Sequence, residues 1–448
     1  MGQLDVKLHK LKTRCNHGYW QDRVYSELKI AIQMSKIRGG RYDSLILGAE
    51  DRLLGGFREE KTVSPEAARE AEAMLLPLSD DVKSFTLHCV SHAHIDMNWM
   101  WRFDETVAIT LDTFRTMLDL LAEYPQFTFS QSQASVYKIV EEYGPAGMLD
   151  EIRKYVKEGR WEVAASTWVE ADKNMPNGES MARHLLYTRR YLTRLLGLPE
   201  GALRLDYEPD TFGHSINVPT ILADAGVEYY YHCRGSRDPM LTWWQAPSGK
   251  RVLAYRDSNW YNCAVNADFA TGALPACGEL GVDAMLKVYG VGDHGGGPSR
   301  RDIERILDMQ GWPIYPTLTF STYHAFFDHI KEKFSDKLPV STAEMNPIFT
   351  GCYTTQTRIK LANRVGEAVL HEAEMFGALA ASKAGFAYDP ARLEKAWENV
   401  LFSQFHDILT GSGVADTREY AMGKFQESAA AANTEKLGAL RARAARID

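Results

Sequence analysis

The sequence predicts an α/β fold, in which a mostly parallel sheet or barrel lies between an N-terminal helical extension and a C-terminal helical bundle. Three observations lead to this prediction. Strand-like and helix-like segments alternate between about residues 84 and 345, residues 1–83 have a mainly helical pattern, and the strand signal stops after residue 346. Such alternation is typical of parallel sheets, in which functional side chains follow the carboxyl ends of the strands.

Each part contains recognisable elements. In the extension, apolar residues recur near a period of 3.6 over residues 25–37, and a second helix is predicted at 65–75. The alternating region has strand-like segments at 84–92, 127–132, 161–166, 202–207, 228–233, 251–256 and 317–322, and helical segments at 105–123, 146–158, 178–196, 215–225 and 300–309. Three long helical segments follow at 363–383, 391–409 and 415–445. The predicted domains are therefore residues 1–83, 84–345 and 346–448.

Composition excludes several classes of protein. Of the 448 residues, 45% are hydrophobic and 25% are charged, which is typical of a folded globular protein. The formal charge is −8 without a basic block, so no nucleic-acid partner is expected. The apolar runs are far shorter than the ~20 residues that cross a bilayer, so no membrane partner is expected either.

The cysteines and the first residues suggest a compartment. The six cysteines form no CxxC pair, and residues 1–15 lack the apolar run of a secretory signal. These features predict a cytoplasmic protein, because disulfide frameworks belong to oxidising compartments. The cysteines are Cys15, Cys89, Cys233, Cys263, Cys277 and Cys352.

A metal site is suggested by HCVSHAHID, residues 88–96, at the end of the first predicted strand of the alternating region. Residues two apart on a strand point the same way, so His92, His94 and Asp96 could present their side chains to one spot. Two imidazoles and an oxygen ligand suit Zn²⁺ or another divalent first-row ion such as Co²⁺, and the lack of thiolates favours a catalytic over a structural site. The alternative is an ordinary polar strand face.

Two acidic segments could supply catalytic carboxylates. In RLDYEPDTFGHS, residues 204–215, three carboxylates alternate out of a strand, and Pro209 ends the ladder so that Asp210 lies at its carboxyl edge. A solvated acidic turn is the alternative. In GVGDHGGGP, residues 290–298, Asp293 lies beside His294 in a glycine-rich loop that lacks the ending of a phosphate-binding loop. Asp293 is a candidate acid or base, and a merely flexible loop is the alternative.

A fourth segment, LFSQFHDILTGSG at residues 401–413, carries His406 and Asp407 near the end of a predicted amphipathic helix. Its neighbours Phe402, Phe405 and Ile408 are apolar. Taken alone, the pattern is also typical of a histidine at the edge of a core.

Taken together, these segments resemble glycoside hydrolase family 38, the class II α-mannosidases. The matching strings, in the order of that family, are HAHIDMNWMW (92–101), WVEADKNMPNGESMARHLLY (168–187), YEPDTFGHS (207–215), YHCRG (231–235), GDHGGGP (292–298), GCYTTQTRIK (351–360) and SQFHDILTG (403–411). The resemblance implies a seven-stranded (β/α) barrel followed by a three-helix bundle. Two departures are His294, where members commonly have glycine, and Arg102, where they have proline. The β-domains that follow the bundle in the family are not matched.

The resemblance also implies roles for residues. Zn²⁺, or Co²⁺ in its place, would be held by His94, Asp96, Asp210 and His406, with His92 behind them. Asp210 would be the nucleophile and Asp293 the general acid/base of a retaining reaction. The implied substrate-binding residues are Trp99, Arg234, Tyr353 and Asp407.

The resemblance thus implies a metal-dependent α-mannosidase acting on mannose-containing oligosaccharides. A metal-dependent polysaccharide deacetylase or amidohydrolase is the first alternative, since such enzymes also place His and Asp ligands at strand ends. A mannose-binding homologue without turnover is the second. Association into a homo-oligomer stays open.

Overall fold

The computed structural model describes residues 3–14, 18–60, 62–235, 239–257 and 260–447, and the chain has a mixed α/β fold. The N-terminal helices are α1 (Gln3–Arg14), α2 (Tyr19–Ile37), α3 (Asp43–Glu60), α4 (Pro65–Leu75) and α5 (Ser79–Lys83). They pack on the α/β part: the backbone N–H of Ile314 donates to Glu27 over 3.1 Å, and Ser26 donates to Asp268 over 3.0 Å. The helical N-terminal region predicted from the apolar period is therefore present.

Strands and helices alternate through the middle of the chain, as predicted. The strands are β1 (Thr86–Ser91), β2 (Phe129–Gln131), β3 (Trp161–Val163), β4 (Leu205–Glu208), β5 (Tyr229–His232), β6 (Leu241–Gln245), β7 (Arg251–Arg256), β8 (Ala284–Tyr289), β9 (Thr317–Phe320) and β10 (Val340–Ser341). The helices are α6 (Phe103–Glu123), α7 (Ala134–Tyr143), α8 (Met148–Lys157), α9 (Gly178–Leu196), α10 (Val218–Asp224), α11 (Ala273–Leu280), α12 (Arg300–Gln310) and α13 (Tyr323–Phe334).

Within the described residues, the strands form three sheets. Their orders are β8-β1-β9, β2-β3 and β10-β6-β7-β5-β4, and every pair is parallel except the β6-β7 hairpin. A single bridge between His92 and Ser130 joins the ends of β1 and β2. Asp96, Asp210, Arg234 and Asp293 all follow carboxyl ends of parallel strands, which brings these distant segments to one side of the fold.

Helices dominate the C-terminal part. They are α14 (Thr357–Ala384), α15 (Pro390–Ser403), α16 (His406–Thr410) and α17 (Ala415–Ala444). The three long helices contact one another, and Gly366 of α14 is small enough to let Val400 of α15 and Phe425 of α17 approach closely. Among the described helices, none is both long and apolar enough to cross a membrane.

The single helix predicted at 391–409 is wrong, because the structure breaks it between α15 and α16. Phe405 leaves the helical conformation (φ −49°, ψ 141°) and pairs with Ala171. Next to it, the backbone N–H of His406 donates to the carbonyl of Glu170 over 3.1 Å. A tertiary contact thus overrides the local helical pattern, and it turns His406 toward the strand ends.

Among the described residues, no cysteine forms a disulfide. Cys89, Cys233, Cys263, Cys277 and Cys352 are free. Cys15 lies outside the described residues.

Candidate metal centre and active site

Three of the four predicted metal ligands meet beyond the carboxyl end of β1. His94, Asp96 and His406 are buried, and they offer ligand atoms that lie within 4.8 Å of one another. Nε2 of His94 is 2.9 Å from Oδ1 of Asp96, and Nε2 of His406 is 3.4 Å from the same oxygen. We call these three residues the metal triad.

The donor atoms of the triad fit a divalent metal. Nδ1 of His406 lies 2.9 Å from the carbonyl oxygen of Glu170, which can only accept, so Nδ1 carries the proton. Nε2 of His406 is buried without a hydrogen-bond partner and faces Asp96. A free imidazole lone pair beside a carboxylate is the arrangement that Zn²⁺ and Co²⁺ prefer.

The charges in the triad also favour a cation. Burial alone would raise the pKa of Asp96, but His94 and His406 lower it to about 2. Burial alone would lower the pKa of His406, but the nearby carboxylates of Asp96 and Asp407 raise it to about 10. The carboxylates that attract a proton would equally attract a metal ion, so the two compete for the imidazole.

His92 and His88 do not join the triad. Nε2 of His92 lies 3.1 Å from the hydroxyl of Ser132, and its ring packs 4.5 Å from that of Tyr207. Nδ1 of His88 lies 2.8 Å from Oγ of Ser321. The expectation from strand geometry that His92 shares one spot with His94 and Asp96 is therefore wrong, because the chain leaves the strand at Ser91.

Asp210 lies in the loop after β4, beside the triad. Its carboxylate accepts hydrogen bonds from two side chains: Arg234 binds Oδ1, and the Tyr261 hydroxyl binds Oδ2 over 3.0 Å. The ring of Tyr261 also packs 4.5 Å from that of His94. Tyr261 thus links the carboxylate to the triad, whereas the role of Asp210 as a fourth ligand stays a prediction.

Three aromatic rings surround the guanidinium of Arg234. Its Cζ lies 5.2 Å from the ring centre of Phe212, 4.6 Å from that of Trp260 and 5.0 Å from that of Phe349. Trp260 and Phe349 have left-handed backbones, with φ of 81° and 55°. Strain of this kind in non-glycine residues concentrates at functional sites, and here it positions two of the rings that hold the cation.

A buried ionic cluster lies next to the loop that carries Asp210. Nζ of Lys173 lies 3.0 Å from Asp206 and 2.8 Å from Glu208, and both carboxylates are fully buried. Thr211 donates to Glu208 over 2.6 Å. Burial alone would lower the pKa of Lys173, but the two carboxylates raise it overall. For Asp206 and Glu208, the alternative of a solvated acidic turn is therefore wrong.

Asp293 occupies the loop after β8, across from the triad. Its backbone is left-handed, with φ of 53°, and its carbonyl accepts from the N–H of Asp96 over 2.7 Å. The carboxylate pairs with Nδ1 of His294. The side chains of Asp293 and His294 are 36% and 60% exposed, so this candidate acid faces solvent, unlike the triad.

One cavity of about 590 Å³ connects these groups. Of the predicted site residues, Asp96, Trp99, Asp210, Arg234, Asp293 and Asp407 line it. Burial raises the pKa of Asp407 to about 7, although His406 acts to lower it. The lining does not include Tyr353, whose hydroxyl accepts from Asn174 over 2.6 Å.

Several residues of this site were not predicted from the sequence. Phe212, Trp260, Tyr261 and Phe349 line the cavity, and Glu170 contacts the triad. Phe212 lies directly in the acidic segment, and Glu170 lies in WVEADKNMPNG, so both were within segments already singled out. Tyr261 follows β7, where the strand-end rule was available but no charged residue drew attention.

Comparison with known families accounts for most of the chain. Residues 84–344 match the profile described as "Glycosyl hydrolases family 38 N-terminal domain", and residues 347–441 match "Alpha mannosidase middle domain".

Individual relatives agree with these matches. Human "Alpha-mannosidase 2C1" is 31% identical over 78% of this chain and 34% of its own length, and "Alpha-mannosidase G" of Dictyostelium discoideum is 32% identical over 72% and 30%. A crystal structure of an α-mannosidase from Enterococcus faecalis V583 aligns with a TM-score of 0.72 at 21% identity, covering 81% of this chain and 43% of that one. The chain spans about a third of the length of these two curated relatives.

Proposed function

The chain belongs to glycoside hydrolase family 38, and on this premise we propose that it is a retaining, metal-dependent α-mannosidase. Its substrate would be a terminal α-linked mannose of an oligosaccharide or glycan. One observation carries the proposal: Asp210, Asp293 and Asp96 of the metal triad line a single cavity of about 590 Å³. That volume suits a small-molecule site.

The first step falls to Asp210. Its carboxylate attacks the anomeric carbon, a covalent mannosyl-enzyme forms, and the bond to the leaving oxygen breaks. Arg234 and Tyr261 each hold one oxygen of the carboxylate, which keeps it oriented toward the cavity. A positioned nucleophile needs less reorganisation in the transition state.

Asp293 would handle the protons. It protonates the departing oxygen in the first step, and it then removes a proton from the water that releases mannose. Its exposure suits this role, because the leaving group departs toward solvent and the attacking water enters from solvent. His294, the pairing partner of Asp293, would influence which orientation the carboxylate adopts.

Zn²⁺, or Co²⁺ in its place, would be held by His94, Asp96, Asp210 and His406 and would supply a Lewis acid for the sugar hydroxyls. Trp99 and Asp407, which line the same cavity, would contact the sugar by packing and by hydrogen bonding. Tyr353, which follows the lining residue Cys352 in the chain, would be a further substrate-binding residue.

The same proposal includes the architecture. We propose that the three sheets contribute the strands of one seven-stranded (β/α) barrel, in which the bridge between His92 and Ser130 joins two of the sheets. Residues 346–448 would form the three-helix bundle and residues 1–83 the helical extension. A cytoplasmic location fits the cysteine pattern of the sequence.

Hydrolysis of an aryl α-mannoside tests the activity. The purified chain is assayed as isolated, after metal removal by a chelator, and after addition of Zn²⁺ or Co²⁺. We expect turnover that is lost with the metal and restored by it. Retention of full activity in the stripped protein would contradict metal dependence.

Trapping with a fluorinated mannosyl substrate tests the mechanism. We expect mass spectrometry to find one mannosyl adduct on the peptide that contains Asp210. Release of acetate from N-acetylated sugars without an adduct would instead indicate a deacetylase. Binding of mannose without cleavage in either assay would indicate a homologue without turnover.

A further inference from the structure

We propose that Glu170 is a positioning residue that orients both histidines of the metal triad, His94 through its carboxylate and His406 through its main-chain carbonyl. Glu170 lies on the segment after β3 and is 1% exposed. The inference rests on the metal site of the proposed function, but it does not depend on which substrate that site acts on.

The side chain of Glu170 reaches His94. Oε2 lies 3.1 Å from Nδ1 of His94, which is an ion-pair contact between two buried side chains. Oε1 accepts from the Ser132 hydroxyl over 2.8 Å, so the carboxylate is held at both ends. Ser132 in turn lies 3.1 Å from His92, and this chain of contacts leaves the Glu170 carboxylate little freedom to turn away.

The main chain of Glu170 reaches His406. Its carbonyl accepts from Nδ1 of His406 over 2.9 Å and from the His406 backbone N–H over 3.1 Å. The backbone N–H of Glu170 donates to Oε1 of Gln133 over 3.0 Å. The bridge between Ala171 and Phe405 continues the contact, so the two chain segments are fixed together.

These contacts determine which ring nitrogens are free for a metal. At His406, the Glu170 carbonyl favours the tautomer with the proton on Nδ1 and leaves Nε2 as the donor atom. At His94, carboxylates face both ring nitrogens, so Nε2 is available to a metal when Nδ1 keeps the proton that Glu170 attracts. Both Nε2 atoms face the same Oδ1 of Asp96. One residue thus directs two ligands that are far apart in sequence.

The side-chain contact of Glu170 with His94 and its main-chain contact with His406 can be separated by mutation. Glu170→Ala removes the side-chain acceptor of His94 but keeps the main-chain carbonyl acceptor of His406. We therefore expect Glu170→Ala to change only the tautomer of His94. A role in general stability alone would not distinguish the two histidines.

Glu162 offers a matched control. It is also a buried glutamate of this strand region, and it accepts a hydrogen bond from Ser130, two residues before Ser132. Its other partners are the backbone N–H groups of Tyr323 and His324 and the His324 ring, away from the triad. Glu162→Gln should therefore alter packing without altering metal binding.

The experiment measures Co²⁺ binding to the full chain by visible absorbance, with Zn²⁺ displacing it. We expect the affinity to fall about 100-fold in Glu170→Ala and about tenfold in Glu170→Gln, whose amide oxygen still accepts from His94. Glu162→Gln should bind as the unaltered chain does. In ¹⁵N-histidine NMR of the metal-free protein, the His94 signals should shift in Glu170→Ala while those of His406 stay unchanged.

Each outcome has one meaning. Unaltered Co²⁺ affinity in folded Glu170→Ala would overturn the inference, as would equal losses in Glu170→Gln and Glu162→Gln. If Glu170→Ala does not fold, the comparison of the two glutamine variants decides alone. Failure of the unaltered chain to bind Co²⁺ at all would refute the proposed metal site instead, and mannosidase assays play no part in the measurement.

Discussion

The two walls of the cavity are built differently. The metal wall is the side on which Asp96 lines the cavity with the rest of the triad behind it, and it is buried: His94, Asp96 and His406 are at most 1% exposed. On the acid wall, formed by the loop 290–298, the side chains of Asp293 and His294 are 36% and 60% exposed. The difference suggests that metal ligands must be held in position before the metal binds. A proton donor, by contrast, must reach a leaving group that departs into solvent.

Main-chain geometry explains how the exposed wall is nevertheless held. Gly290 has φ of 128°, and a Cβ there would lie 2.3 Å from the carbonyl of His92, so the loop can pass β1 only with glycine at this position. The carbonyl of Asp293 accepts from the N–H of Asp96. The acid loop is thus tied to the metal wall through backbone, while its side chains stay accessible.

Substitution of Asp210 should have the largest effect, because it should lower both turnover and metal affinity. We expect Asp210→Ala to lower kcat/KM by a factor on the order of 10⁴ or more, because it removes the proposed nucleophile. It should also weaken Co²⁺ binding, if Asp210 is the fourth ligand. Kinetics on an aryl α-mannoside and a Co²⁺ titration measure the two effects.

Asp224→Ala is a suitable control for Asp210→Ala. Asp224 is an exposed carboxylate that pairs with Lys250 on the surface, and its loss should change neither quantity. Unaltered metal affinity in Asp210→Ala, together with lost turnover, would limit Asp210 to the role of nucleophile.

On the acid wall, loss of Asp293 should depend on the leaving group. For substrates with poor leaving groups, we expect Asp293→Ala to reduce kcat by about 10² to 10⁴, because protonation of the departing oxygen is lost. Activated aryl mannosides need little protonation and should be affected much less. Metal affinity should be unchanged, and equal losses on both kinds of substrate would remove Asp293 from the acid/base role.

The local elements were largely predictable from sequence. The helix at 178–196 and the strand at 251–256 have the predicted bounds, and the helix has clear end signals: the Asn177 side chain accepts from the Ser180 N–H, and Gly197 ends it with φ of 68°. The strand at residues 284–289 was not predicted. Its burial on both faces leaves no alternation for a period-2 pattern to detect.

Site residues that follow strand ends were predictable from the sequence. Site residues whose positions depend on tertiary contacts were less predictable. Asp96, Asp210 and Asp293 lie where the strand-end rule expects functional groups. His406 depends on a helix break that local sequence does not signal, and only the family resemblance identified it. Glu170 acts through contacts with residues near 94 and 406, which no local pattern contains.

The ionic cluster of Lys173, Asp206 and Glu208, next to the Asp210 loop, should affect the stability of the fold. We expect Lys173→Met to lower the free energy of unfolding by about 3 to 5 kcal/mol, because it leaves Asp206 and Glu208 buried without a cation. Urea denaturation measures the change. Combining Lys173→Met with Asp206→Leu and Glu208→Leu should recover most of the loss. If the single variant is as stable as the unaltered chain, the cluster does not support the loop in this way.

The smallest effect should come from Tyr261, which lies between Asp210 and the metal wall. Tyr261→Phe removes one hydrogen bond to Asp210 but keeps the ring that packs on His94, and Arg234 still holds the other carboxylate oxygen. The loss of about 1 kcal/mol corresponds to a fall of roughly fivefold in kcat/KM, with metal affinity unchanged. Tyr261→Ala also removes the ring, so it should weaken Co²⁺ binding as well. If both variants weaken metal binding equally, the hydroxyl rather than the ring connects the nucleophile to the triad.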